Sequence, residues 1–156
     1  MKALHILTLL ASVAAASVLP RVPGYVPKGY CCFSLHDAST GTKIRQDDNG
    51  LLYLGGTNPE GWYCIDLPSK KNILIDHKYN ACFRSPSHEI KCLDPIPSSQ
   101  KWTLVKHDGD VRRVAIDGQE TYKACPDGAG RESIWGTGRS ECRSMNIEAR
   151  GLKGTC

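Results

Sequence analysis

An all-β domain stapled by disulfides is the fold class this sequence predicts, on three observations. Eight cysteines, Cys31, Cys32, Cys64, Cys82, Cys92, Cys125, Cys142 and Cys156, all lie downstream of a leader-like N-terminus. Short apolar and aromatic clusters recur at intervals of about eight to twelve residues, the spacing of strands joined by tight turns. Apolar positions at helical spacing are not sustained anywhere beyond the leader. The expected architecture is a single β-sandwich or small β-barrel, with a β-trefoil as the alternative.

The clusters are Tyr30-Cys31-Cys32-Phe33, Leu51-Leu52-Tyr53-Leu54, Trp62-Tyr63-Cys64-Ile65, Asn72-Ile73-Leu74-Ile75, Trp102-Thr103-Leu104-Val105, Val111 to Ile116, Thr121 to Cys125 and Ser133-Ile134-Trp135. Each has the length of a strand. Between them stand Asp47-Asp48-Asn49-Gly50, Asn58-Pro59-Glu60-Gly61, Asp108-Gly109, Asp117-Gly118 and Asp127-Gly128. These residue types tolerate positive φ and favour hairpin turns.

Met1-Lys2, an apolar run to about Ala16 and small residues at Ala14, Ala15 and Ala16 predict a signal peptide over residues 1–16. The run is too short and too interrupted for a membrane span, so none is expected. Residues 17–28 carry Pro20, Pro23, Gly24 and Pro27 and predict an extended arm, poorly ordered and outside the core. The disulfide-rich domain then occupies 29–156. Removal of the leader leaves a formal charge of +3, because Lys2 is its only charged residue. The excess is mild and unclustered, which argues against a nucleic-acid binder.

An even cysteine count in a secreted chain reads as four disulfides formed in an oxidising compartment. Cys31 and Cys32 are adjacent on a predicted strand and point to opposite faces, so they require different partners. Cys82 and Cys92 can close a hairpin. Cys125 with Cys142, and Cys156 tied back to an early strand, complete one of the many possible connectivities. Paired zinc-ligand spacings do not occur, the Asp47 turn lacks the glutamate of a calcium loop, and no cofactor is expected.

Acidic residues adjoin histidine at His36-Asp37, Asp76-His77 and His107-Asp108. Adjacency in sequence is not catalytic geometry, and no nucleophile-elbow motif is present, so no catalytic residue is assigned. A small ribonuclease using His77, Glu89 and Arg113 is the best enzymatic alternative. For binding, Trp62 follows a turn at a strand end, where an exposed aromatic can anchor a sugar or a protein; Trp62 and Tyr63 are the candidate binding residues. Trp102, alternating with Leu104, is expected in the core.

Gln100-Lys101-Trp102 resembles the Q-x-W signature of ricin-type β-trefoil lectins, and Trp62, Trp102 and Trp135 are spaced 40 and 33 residues apart, near that fold's repeat length. Neither of the other two tryptophans keeps the glutamine. Asn49-Gly50-Leu51-Leu52-Tyr53-Leu54, Gln100-Lys101-Trp102, and Ala124-Cys125-Pro126 with Ile134-Trp135 and Cys142 resemble small cysteine-containing secreted proteins of filamentous ascomycetes, including the cell-wall protein PhiA-like group. The resemblance spans roughly residues 30–145; Cys31-Cys32 and Cys156 fall outside its pattern. It implies an extracellular, non-catalytic protein of the fungal wall or an effector, whose partner is a cell-wall glycan or a host protein.

Overall fold

A computed structural model describes residues 24–94 and 96–156; the leader and the first part of the arm lie outside the described residues. Twelve strands and no helix are present among them. They are β1 (Cys31–Asp37), β2 (Ile44–Gln46), β3 (Leu52–Leu54), β4 (Tyr63–Ile65), β5 (Leu74–Asp76), β6 (Ala81–Arg84), β7 (Ile90–Asp94), β8 (Trp102–Lys106), β9 (Arg112–Ile116), β10 (Thr121–Pro126), β11 (Glu132–Trp135) and β12 (Arg143–Gly154).

Antiparallel ladders join β1 to β4, β4 to β5, β8 to β9, β9 to β12 and β12 to β1. The one gap in this ring, between β5 and β8, is bridged by a single hydrogen bond from the Trp102 amide to the Asn72 carbonyl, 2.8 Å long. The other strands pair as the hairpins β2–β3, β6–β7 and β10–β11. These hairpins meet one another: β3 pairs with β11, Leu51 bridges to Lys91, and Glu89 bridges to Trp135. Barrel strand, hairpin, barrel strand, three times over, is the connectivity of a β-trefoil. The domain is therefore all-β as expected, a curled antiparallel sheet whose connectivity follows the β-trefoil alternative.

The repeat is carried by turns more than by matching side chains. Asp47, Ser85 and Asp127 begin the three hairpin turns, and each donates its amide to the carbonyl four residues on, at Leu51, Glu89 and Arg131. Asp47 Oδ1 also accepts the amides of Asn49 and Leu51, so the acidic loop is organised as a hairpin turn. Asp117 and Gly118 both have positive φ, and Ile116 and Gln119 exchange backbone hydrogen bonds across them, as a two-residue hairpin requires.

Period-two alternation sends one face of each strand inward. The core contains Phe33, Leu35, Ile44, Leu52, Tyr63, Ile65, Leu74, Ile90, Trp102, Ile116, Tyr122, Ile134 and Ile147. The Q-x-W residues prove architectural: Gln100 accepts the Arg84 amide and donates to the Arg84 carbonyl, while the Trp102 indole donates to the Cys82 carbonyl at 2.8 Å. They lash the β6–β7 hairpin to the barrel.

Four disulfides join Cys31 to Cys156, Cys32 to Cys64, Cys82 to Cys92 and Cys125 to Cys142. Cys32–Cys64 and Cys82–Cys92 link directly opposed strand positions. The adjacent pair Cys31 and Cys32 does take different partners. One boundary moves: Pro27, assigned to the arm, is buried, and its carbonyl accepts the Tyr30 amide, so the last arm residues pack on the barrel.

Candidate recognition sites

Trp62 sits between the β3–β4 turn and β4, half-buried at a cleft of about 370 Å³. Its indole N–H donates to the Tyr25 carbonyl at 3.0 Å, which orients the ring, and the Lys153 ammonium lies 5.8 Å from the ring centroid. Ser34, Lys43, Pro59 and Glu60 complete the walls. The Lys43 hydrogen bond, opposed by desolvation and helped by the nearby charges of Lys43, Arg45 and His36, holds the Glu60 carboxyl below its ordinary value. The cleft thus offers an oriented aromatic beside an ionised carboxylate.

Tyr63, the other candidate binding residue, is corrected by the structure. It is 0% exposed, because the strand alternation that brings Trp62 outward turns Tyr63 into the barrel. Burial pushes its phenol far above the ordinary value, and its hydroxyl has no hydrogen-bond partner among the described residues. Trp102, at 1% exposure, is core as expected. Trp135 is half-buried, donating its indole N–H to Ser133 Oγ, with the Arg139 guanidinium 4.7 Å over its ring.

The same alternation dissolves the histidine–aspartate neighbours. His36 lies on the outer face of β1, where Nε2 is 2.9 Å from Ser34 Oγ and Nδ1 is 3.0 Å from the Gly41 carbonyl. Asp37 points inward, bonded to Ser39 and ion-paired with Arg143. Asp76 is likewise buried, accepting the amides of Lys78 and Asn80 and the Gln46 side chain. His107 turns from Asp108 to Glu120, at 2.7 Å. Of the ribonuclease trio, Glu89 pairs with Lys91, Arg113 lies in register with Glu148, and no hydrogen bond or ion pair joins either to His77 among the described residues.

Two further concavities were not foreseen from sequence. A broad polar cleft of about 700 Å³ is lined by Ser39, Thr40, Thr42, Arg131, Glu132, Arg143 and Ser144. Its charges are paired internally: Arg143 grips Glu132 through two hydrogen bonds and reaches Asp37 at 2.9 Å, and Arg131 bonds Asp127 while lying 3.9 Å over the Tyr53 ring. A smaller one of about 270 Å³ lies outside β5, between Tyr30 and Tyr79. The sequence signal for it was the outward-facing pair Ile73 and Ile75, readable only once the register of β5 was known.

Among the described residues no group of three or more His, Cys, Asp or Glu side chains is placed to hold a metal ion, and no helix is long and apolar enough to cross a membrane. No protein-family model, curated protein or solved structure matches the chain. Function therefore has to be argued from the geometry. Four disulfides fit an extracellular protein.

Proposed function

We propose that this chain is a secreted, non-catalytic recognition protein, effector-like or associated with the fungal cell wall, that binds through its loop-rich surface with Trp62 as an anchor. The observation that carries the reading is the state of Trp62: an aromatic ring half-exposed at a cleft, hydrogen-bonded to the Tyr25 carbonyl, beside the ionised Glu60. A ring already oriented by a hydrogen bond in the free protein binds with a smaller entropy cost. The resemblance to wall-associated ascomycete proteins supports the same class. The β-trefoil connectivity favours, as a second reading, a lectin-like module whose ligand is a glycan.

Wild-type protein and Trp62→Ala decide the matter in a sedimentation assay with insoluble wall polysaccharides and in a pull-down from host extract, with thermal melts as the control. The expected result is binding by wild type and its loss in Trp62→Ala at a nearly unchanged melting temperature. Equal binding by the two proteins would remove Trp62 from the site, and turnover of RNA or polysaccharide by purified protein would replace recognition with catalysis.

A further inference from the structure

We infer that the concavity between Tyr30 and Tyr79 is a second binding site, for a neutral pyranose unit of an oligosaccharide, which goes beyond the Trp62 reading and does not depend on it. A pyranose ring presents an apolar C–H face and a rim of hydroxyls, so its site needs an aromatic or aliphatic platform edged by a few fixed polar groups. This cleft has both. Tyr30, Tyr79, Ile73, Ile75 and Pro97 supply apolar surface, and Asp66, Ser69 and Lys71 stand along one side.

The polar edge is organised before any ligand arrives. Asp66 Oδ1 accepts the Ser69 amide, Ser69 Oγ donates to the Asp66 carbonyl, and the Lys71 amide donates to Ser69 Oγ. Lys71 has no ion-pair partner among the described residues, which leaves its ammonium to donate to sugar oxygens. Asp66 can accept from a hydroxyl, and a hydrogen bond to a charged group is stronger than one between neutral groups.

Tyr79 stands at a turn position whose positive φ the fold itself sets, as it does for His88 in the Ser85 turn. Tyr79 is 41% exposed and has φ +67°, a left-handed conformation that is uncommon for a bulky residue. The β5–β6 turn holds it there through the buried Asp76 carboxylate, which binds the amides of Lys78 and Asn80 on either side. Asparagine or glycine would fit the turn with less strain. The turn thus presents a large, partly exposed aromatic at the edge of the concavity.

The cleft lies at the opposite end of β4 from Trp62: Trp62 precedes the strand and Asp66 follows it. Signals from the two sites can therefore be read separately. The test is an NMR titration of the isotope-labelled, oxidised chain with chito-, cello- and laminari-oligosaccharides at millimolar concentration, repeated with Tyr79→Asn, Tyr79→Trp and Trp62→Ala. Tyr79→Asn keeps a residue suited to positive φ while removing the ring. The expected result is saturable shifts at residues 66–71 and 78–80 with at least one sugar, weakened about tenfold or more in Tyr79→Asn, kept in Tyr79→Trp, and unchanged in Trp62→Ala. Absence of saturable shifts at these residues with every sugar overturns the proposal, whatever Trp62 binds. So does equal affinity of wild type and Tyr79→Asn with matching melts, or a partner protein protecting these residues while no sugar moves them.

Discussion

Gly61 and Tyr63 are joined by a steric requirement that composition does not reveal. A Cβ built on Gly61 would stand 2.1 Å from the Tyr63 hydroxyl oxygen and 2.3 Å from its ring, and the ring, fully buried, has nowhere to withdraw. Gly61→Ala is expected to lower stability by about 1–3 kcal/mol, as overpacking does. Tyr63→Phe removes a buried hydroxyl that lacks a partner, so stability should hold or rise by up to about 1 kcal/mol. Urea denaturation of both variants checks this; a marked loss in Tyr63→Phe would show that the hydroxyl is satisfied after all. Asp37 is a different case. Desolvation alone would raise its pKa, yet the Ser39 amide and hydroxyl together with Arg143 outweigh it and hold the carboxyl below its ordinary value. A depressed folded pKa contributes stability that is present above the unfolded value, about 3.9, and is lost as pH falls through the lower folded value. Asp37→Asn should cost about 1–3 kcal/mol at pH 7, and the gap to wild type should close on acidification below about pH 4. A gap that stays constant with pH would refute the ionic account.

At the scale of elements, β12 organises the fold, since it pairs with β1, β9 and β10. It is also the longest strand, and Met145, Ile147 and Ala149 face inward between Asn146, Glu148 and Arg150. Gly50 illustrates how tightly hairpin and neighbour are set. It has φ +77°, and a Cβ there would lie 2.5 Å from the Cys92 carbonyl oxygen. Its own carbonyl accepts the Cys92 amide at 2.8 Å, so the close approach is the contact between two hairpins. Trp62, just before β4, and Trp102, which opens β8, separate the roles of stability and binding. Trp102→Ala leaves a large void and an unpaired Cys82 carbonyl and should cost about 3–5 kcal/mol. Trp62→Ala, losing a half-buried ring and one hydrogen bond to Tyr25, should cost no more than about 1.5 kcal/mol. Equilibrium unfolding of the pair tests the difference, and a reversed order would make Trp62 the structural residue.

For the molecule as a whole, the core is finished by covalent links. Cys31–Cys156 spans 125 residues and ties the last residue of the chain to β1, whereas Cys82–Cys92 spans 10 and closes a hairpin already held by its ladder. Constraint of the unfolded chain grows with loop length, so loss of the first link should cost about 2–5 kcal/mol and exceed the loss of the second. Paired Cys→Ala variants compared by chemical denaturation give that order; equal costs would mean that local packing, not chain entropy, governs the links. The oxidised protein should also show no alkylatable thiol under denaturing conditions, and should unfold cooperatively when reduced. Two or more modified cysteines per molecule, counted by mass spectrometry, would contradict the fourfold pairing.

Local chemistry was enough to predict an all-β, disulfide-bonded domain, because turn residues, cysteine parity and strand-length apolar runs act over a few positions. The Asp47, Asp117 and Asp127 turns and the Cys82–Cys92 hairpin were legible for that reason. Sequence offered the threefold plan only as an alternative, because the repeats share backbone hydrogen-bond geometry at Asp47, Ser85 and Asp127 and few side chains. Nor did it disclose which member of Trp62-Tyr63 faces solvent, which depends on register, where a shift of one residue exchanges the two faces. The Tyr30–Tyr79 cleft, the Arg143 bridge between Asp37 and Glu132, and the separation of His36 from Asp37 all join or divide residues through that register and through contacts between distant strands. Pairing across the barrel is decided by the whole folded chain, so only the tertiary structure could supply them.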